Sequence, residues 1–378
     1  SSHEVCSSSN PTYMLQQMER GVTMKMLRMA MRISILIITL GWLMMGCNPV
    51  VNNVSEAEIY LLKWDDCEHN FANIMRMDVN GDQQALLDRA SGSLDWSKDG
   101  KYLAAGCGDK QKLCIYERGN FIDWSKYPPT LPTKRDYVEL DLPYECKSVM
   151  GDYGISSLSW AKDGDKLAVV CGTRERSTVC ILRLDETSSC WEPKAGYDVY
   201  SKADWSPTGD VLVIDSGLSD DLLPDPEKGW RVERNERKIK IVDKEGRVIT
   251  SLLGGWSPSW SHDAKWIAFF RWSDESGYPG IGAIKPDGTG FHWIYQPPFR
   301  GSDTEEEYYH PKFVTIFDTP FGASRISWSE DDKYIITEAG KTGYYCTSIF
   351  KFEVATGEIT HLLTNIGCNY EEPTIITP

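Results

Sequence analysis

The stretch Leu94-Asp95-Trp96-Ser97-Lys98-Asp99-Gly100-Lys101-Tyr102-Leu103-Ala104 decides the fold. An apolar residue, a polar residue and Trp lead into a polar turn, and an apolar run follows. Asp-Gly supplies the positive φ that a tight hairpin turn needs, and the flanking residues suit paired strands. The phrase returns at Leu158-Ser159-Trp160-Ala161-Lys162-Asp163-Gly164 and at Ala203-Asp204-Trp205-Ser206-Pro207-Thr208-Gly209. It returns again at Pro258-Ser259-Trp260-Ser261-His262-Asp263-Ala264 and at Ile326-Ser327-Trp328-Ser329-Glu330-Asp331-Asp332. Such self-similarity marks a repeat architecture. A Trp at the same place in every copy is expected to pack between repeats.

Two more strands follow each copy. After the fourth they are residues 281–285 and 291–295, joined by Pro286-Asp287-Gly288-Thr289-Gly290. Elsewhere they are 238–242 with 247–250, and 349–354 with 358–362. Four antiparallel strands per repeat, with no helix between, predict a propeller blade. Residues 57–88 supply a second, third and fourth strand, and 371–376 supply a first strand with nothing after it. Joined, they make a composite blade that ties the termini together and removes exposed edges. The expected fold is an all-β, six-bladed β-propeller of four-stranded antiparallel blades, closed by that composite blade.

The Trp-Ser-x-Asp-Gly-Lys phrase and the Asp287-Gly288-Thr289-Gly290 hairpin resemble those of the TolB-like propellers, a WD-repeat-like family of bacterial exported proteins. The resemblance covers about residues 57–378. It implies a six-bladed binding module, and it specifies fold far more closely than activity.

Composition agrees. Aromatics make up 11%, with 14 Trp and 18 Tyr, which suits strands. The formal net charge of −15 repels phosphate and argues against nucleic acid as a partner.

The N-terminal stretch stands outside the fold. Lys25, Arg28 and Arg32 form a basic segment, and Ile33 to Met45 form an apolar one too short to span a bilayer comfortably. It ends at Gly46-Cys47. This resembles a bacterial lipoprotein signal, in which such a Cys is lipidated, although Met44 stands where that pattern usually has Leu. A plain signal peptide or an uncleaved anchor is the alternative. Residues 1–23 read as an upstream extension, 24–47 as the signal, 48–56 as a polar tether and 57–378 as the propeller. Two acyl chains on Cys47 would anchor stably where one would not.

Of eleven cysteines, Cys6 and Cys47 lie in or before the signal. Export permits disulfides. Cys107 and Cys114 flank a short hairpin, and Cys171 and Cys180 hold the equivalent places in the next repeat, so the expected pairs are 107–114 and 171–180. Cys346 has Ala339 at its hairpin partner place and turns elsewhere, with Cys368 a candidate. Cys146 and Cys190 come late in successive repeats and form a further candidate pair, which leaves Cys67 over. No Cys-x-x-Cys exists and the histidines are scattered, so neither a metal nor a cofactor is expected.

Long loops on a rigid scaffold are where binding concentrates. Loops between second and third strands share one propeller face with those between blades. Two insertions map to it: Asp215 to Arg237, with Trp230, Arg231 and Arg234, and Gln296 to Gly322, with Glu306, Tyr308, Tyr309 and His310. Aromatics and Arg dominate binding hot spots, which makes these the candidate contacts. A third insertion, Asn120 to Asp136, belongs on the opposite face. Asp78-Val79-Asn80-Gly81-Asp82 resembles the start of a calcium loop, but no Glu follows at the required spacing, and a turn is expected.

No Gly-x-Ser-x-Gly elbow, His-Glu-x-x-His, P-loop or dinucleotide motif occurs. The expected function is non-catalytic: a binding or assembly module outside a bacterial membrane, docking a protein or envelope polymer. The alternative is a glycan hydrolase or lyase with acidic residues at the channel.

Overall fold

A computed structural model of the chain describes residues 58–64, 72–78, 84–90, 92–107, 112–118, 137–150, 155–172, 177–185, 187–192, 198–218, 238–275, 279–296, 325–340, 347–363 and 369–376. In chain order the elements begin with β1 (Glu58–Trp64), β2 (Ala72–Asp78) and β3 (Gln84–Ala90). Next come β4 (Leu94–Trp96), β5 (Tyr102–Cys107), β6 (Lys112–Glu117), β7 (Tyr137–Asp141) and a helix, α1 (Tyr144–Met150). Then follow β8 (Ile155–Trp160), β9 (Lys166–Gly172), β10 (Ser177–Arg183), β11 (Ser188–Trp191), β12 (Asp198–Trp205), β13 (Val211–Leu218), β14 (Lys238–Asp243) and β15 (Val248–Gly254). The last are β16 (Trp256–Trp260), β17 (Ile267–Trp272), β18 (Pro279–Ile284), β19 (His292–Tyr295), β20 (Ile326–Trp328), β21 (Tyr334–Gly340), β22 (Thr347–Glu353), β23 (Ile359–Leu363) and β24 (Asn369–Ile376).

Consecutive strands pair in antiparallel sheets of four: β4 to β7, β8 to β11, β12 to β15, β16 to β19 and β20 to β23. A further sheet has the order β24-β1-β2-β3, with Glu58 opposite Ile376 and Trp64 opposite Asn369. The fold is an all-β propeller with four-stranded antiparallel blades. The helix α1 departs from the all-strand expectation. It occupies the connection from β7 to β8.

Each repeated phrase folds as anticipated, and in three copies the Ser after Trp locks the turn. Ser97 Oγ donates to Asp99 at 2.6 Å and accepts the Tyr102 N–H at 2.8 Å. Ser261 with Asp263 and Trp266, and Ser329 with Asp331 and Tyr334, repeat the arrangement. Gly100, Gly164 and Gly209 take a positive φ at the turn, but Ala264 and Asp332 hold the same place at φ 59° and 55°. Asp332 is held there by function within the fold. Its carboxylate accepts the N–H groups of His262 (2.7 Å) and Asp263 (2.9 Å) in the preceding blade's turn. Ala264 has no such side chain to offset its strain.

The core lies between blades. Trp160 is fully buried among Leu113, Ile115 and Leu140 of the preceding blade, and its indole N–H donates to Asp95 O at 3.1 Å. Trp328 repeats this on Ser259 O, also at 3.1 Å. Outer turns close in as tightly. A Cβ on Gly246 would lie 2.5 Å from the Trp191 ring of the preceding blade.

Disulfide pairing follows expectation in one hairpin and departs from it in the next blade. Cys107 and Cys114 are bonded across the β5–β6 hairpin. Cys171 is bonded to Cys146, and Cys180 to Cys190, so the expected 171–180 pair is not made, nor the 146–190 pair. The reason is competition. α1 carries Cys146 into the same core cluster as Cys171, and Cys190 stands directly opposite Cys180 on β11. Cys47, Cys67, Cys346 and Cys368 lie outside the described residues.

Ala264 and Asp332 make opposite predictions at one turn position. Ala264→Gly should stabilise by about 1 kcal/mol by relieving the left-handed backbone. Asp332→Gly should destabilise by about 1 kcal/mol or more, because two charge-assisted bonds are lost for the same relief. Urea unfolding midpoints at unchanged m-value would test both.

Candidate functional site

The first strands of neighbouring blades contact one another around the axis, and among the described residues their side chains bond from blade to blade. Asp95, one residue before Trp96, accepts the Trp160 N–H of the next blade at 2.8 Å. Ser159 does the same for Trp205 at 3.0 Å, and Asp204 for Trp260 at 2.8 Å. Asp204 also takes hydroxyl donations from Ser159 (2.8 Å) and Ser259 (3.2 Å). Asp215 bridges two blades by accepting from Lys202 N at 2.8 Å and Ser257 N at 3.0 Å, and Ser257 sits at φ 50°.

Arg325, just ahead of β20, reaches past the β24 sheet to the β4 blade. Its guanidinium donates to Leu94 O and pairs with the Asp95 carboxylate, both groups largely out of solvent. Burial pushes the Asp95 carboxyl up from its ordinary value, and Arg325 and the Trp160 N–H pull against that shift. Lys202 and Glu338 are also buried. The space remaining among Ser157, Lys202, Asp204, Ser257, Ser259 and Arg325 is about 20 Å³. That holds about one water.

The insertions leave the blades at one end. β13 ends at Leu218 and β14 begins at Lys238; β19 ends at Tyr295 and β20 begins at Ile326. In antiparallel blades, second-to-third-strand and inter-blade connections share an end, and so does α1. The insertion between β6 and β7 leaves from the other end. Trp230, Arg231, Arg234, Glu306, Tyr308, Tyr309 and His310 lie outside the described residues, as do residues 79–83 of the calcium-like stretch. The buried charges Lys202, Asp215, Arg325 and Glu338 were not singled out from sequence. The Asp or Ser before each Trp was the one available signal, because a polar residue recurring beside a buried Trp needs a buried partner.

No family model matches the chain, and no curated protein matches it. Solved structures do. TolB from Acinetobacter baumannii superposes with a TM-score of 0.53 at 12% identity over 85% of this chain. This chain spans 66% of that structure's length. The putative TolB from Agrobacterium tumefaciens superposes with a TM-score of 0.50 at 14% identity, covering 83% of this chain and 91% of that one. The chain therefore has the fold of a TolB-like β-propeller.

The Arg325–Asp95 pair can be tested directly. Arg325→Met leaves a buried carboxylate without its cation and should cost about 3 kcal/mol at neutral pH. Asp95→Asn in that background should restore part of it. A raised folded-state pKa means that the native state binds the proton more tightly. Stability from this group is then present at low pH and lost as pH rises above the ordinary carboxylate range. The Arg325→Met deficit should therefore shrink on acidification, as denaturant unfolding at pH 4 and pH 7 would report.

Proposed function

We propose that the protein is a six-bladed propeller closed by the β24–β1–β2–β3 sheet, exported and held at a membrane through acylated Cys47, with residues 48–56 as tether. It works as a non-catalytic docking module. A protein partner binds the end of the propeller from which the two long insertions project, with Trp230, Arg231, Arg234, Glu306, Tyr308, Tyr309 and His310 as contacts. The observation that carries this is the convergence of both insertions on one end. The space beside Ser157, Asp204 and Arg325 is about 20 Å³, too small for a sugar ring, which favours docking over a glycan hydrolase or lyase acting at that spot. Disulfides among the described residues fit an oxidising compartment outside the cytoplasm. TolB-like propellers are typically binding modules, which points the same way.

Cross-linking mass spectrometry on native membranes tests the docking. Repeated cross-links from Lys228 or Lys312 to one other protein are expected. Internal cross-links alone, with the protein intact and membrane-bound, would sink the proposal. Cys47→Ser should move the protein to the soluble fraction.

A further inference from the structure

Two disulfides sit side by side between the β4–β7 and β8–β11 blades, and they have a third pairing within reach. Cys146, Cys171 and Cys180 belong to one core cluster, and Cys190 packs against it. Across β9 and β10, Cys171 stands opposite Thr178 and Cys180 opposite Val169. The two cysteines are therefore diagonal, two residues apart in register and on one face of the sheet. Cys107 and Cys114 stand in that same relation: Cys107 is opposite Lys112, and Cys114 is opposite Ala105. Those two are bonded, with Cα atoms 5.8 Å apart. A 171–180 bond is thus one that the neighbouring blade makes from the same strands and the same register.

We propose that these four cysteines form a thiol–disulfide relay that unlatches α1 when the protein meets a dithiol reductant. Cys171 has two partners within reach, Cys146 on α1 and Cys180 across the hairpin. Cys180 likewise has Cys190 and Cys171. Cys190, on the outermost strand β11, is the partly exposed member, whereas Cys146, Cys171 and Cys180 are fully buried. Entry is therefore at Cys190. A thiolate of the reductant attacks the Cys190 sulfur, the 180–190 bond breaks, and Cys180 leaves as thiolate. The reductant's second thiol resolves the mixed disulfide, so the reductant departs oxidised and Cys190 is left as a thiol. The Cys180 thiolate attacks the Cys171 sulfur, forms the 171–180 bond and displaces Cys146, which takes up a proton. Two electrons and two protons have passed from the reductant to Cys146 and Cys190, and the molecule holds one disulfide fewer.

The consequence falls on α1. Its covalent tie to β9 is gone, and packing alone retains it. Because α1 lies in an inter-blade connection, it is at the end of the propeller that carries the long insertions. The relay itself does not depend on what docks there.

The experiment is graded reduction of the folded full chain with dithiothreitol, followed by alkylation and peptide mapping without further reduction. The expected intermediate carries labels on Cys146 and Cys190 and a Cys171–Cys180 cross-linked peptide, as the Cys180–Cys190 peptide is lost. Labels on Cys180 and Cys190 with Cys146–Cys171 intact would overturn the relay. In the same intermediate the amides of 144–150 should lose protection from hydrogen exchange, and unchanged protection would overturn the unlatching. Cys190→Ser, prepared without reductant, should hold the 171–180 bond and a free Cys146. A retained 146–171 bond with a free Cys180 would count against the relay.

Discussion

The innermost strand of a propeller blade has a neighbour on one side only, and its other edge faces the channel. Every N–H on that edge must find an acceptor or lose its hydrogen bond on burial. The chain meets this with side chains lent from blade to blade. Asp95, Ser159 and Asp204 each stand one residue before a Trp, and each accepts the N–H of the next blade's Trp. A second layer does the same, with Ser93 accepting from Leu158 N and Ser157 from Ala203 N, both at 3.3 Å. The bond that satisfies one blade's edge is thus also the bond that fixes the next blade beside it. Trp follows because the residue after the acceptor points into the gap between blades, which only a large side chain fills.

Burying acceptors brings carboxylates into the channel, and they must be satisfied there. Asp204 is met by Ser159, Ser259 and the Trp260 N–H. Asp95 is met by Arg325 and the Trp160 N–H. These partners tie neighbouring inner strands together near the axis.

The repeat was legible because its signal is local: Trp, a polar turn and a strand within eleven residues, again and again. The Cys107–Cys114 bond was legible for the same reason, lying within one hairpin. What escaped was set by distance. Arg325 meets Asp95 across 230 residues, and no pattern in either segment announces the other. α1 has seven residues, too few for a helical period to show, and so Cys146 was assigned no place from which to compete for Cys171. Once α1 holds Cys146 against β9, and Cys190 faces Cys180, two nearer partners replace the diagonal pair that spacing alone suggested.

The two ends of the blades divide the work differently. First-to-second and third-to-fourth strand turns share the end from which the β6–β7 insertion leaves, opposite the other two insertions, and acidic residues crowd it. These carboxylates are already engaged. The Thr289 hydroxyl and N–H hold Asp287 below its ordinary pKa, and Thr187 does so for Asp185. Burial of Asp263 and Asp331 pushes the other way, but their bonds to Lys265 with Ser261 and to Lys333 with Ser329 outweigh it. Asp332 is committed to the neighbouring turn. A change to one of these carboxylates disturbs a turn, a blade contact or both. The other end bears the inter-blade connections and the second-to-third strand loops, α1 among them. The docking proposed above falls on that end, where β13 stops at Leu218 and β14 starts at Lys238, and where β19 stops at Tyr295 and β20 starts at Ile326.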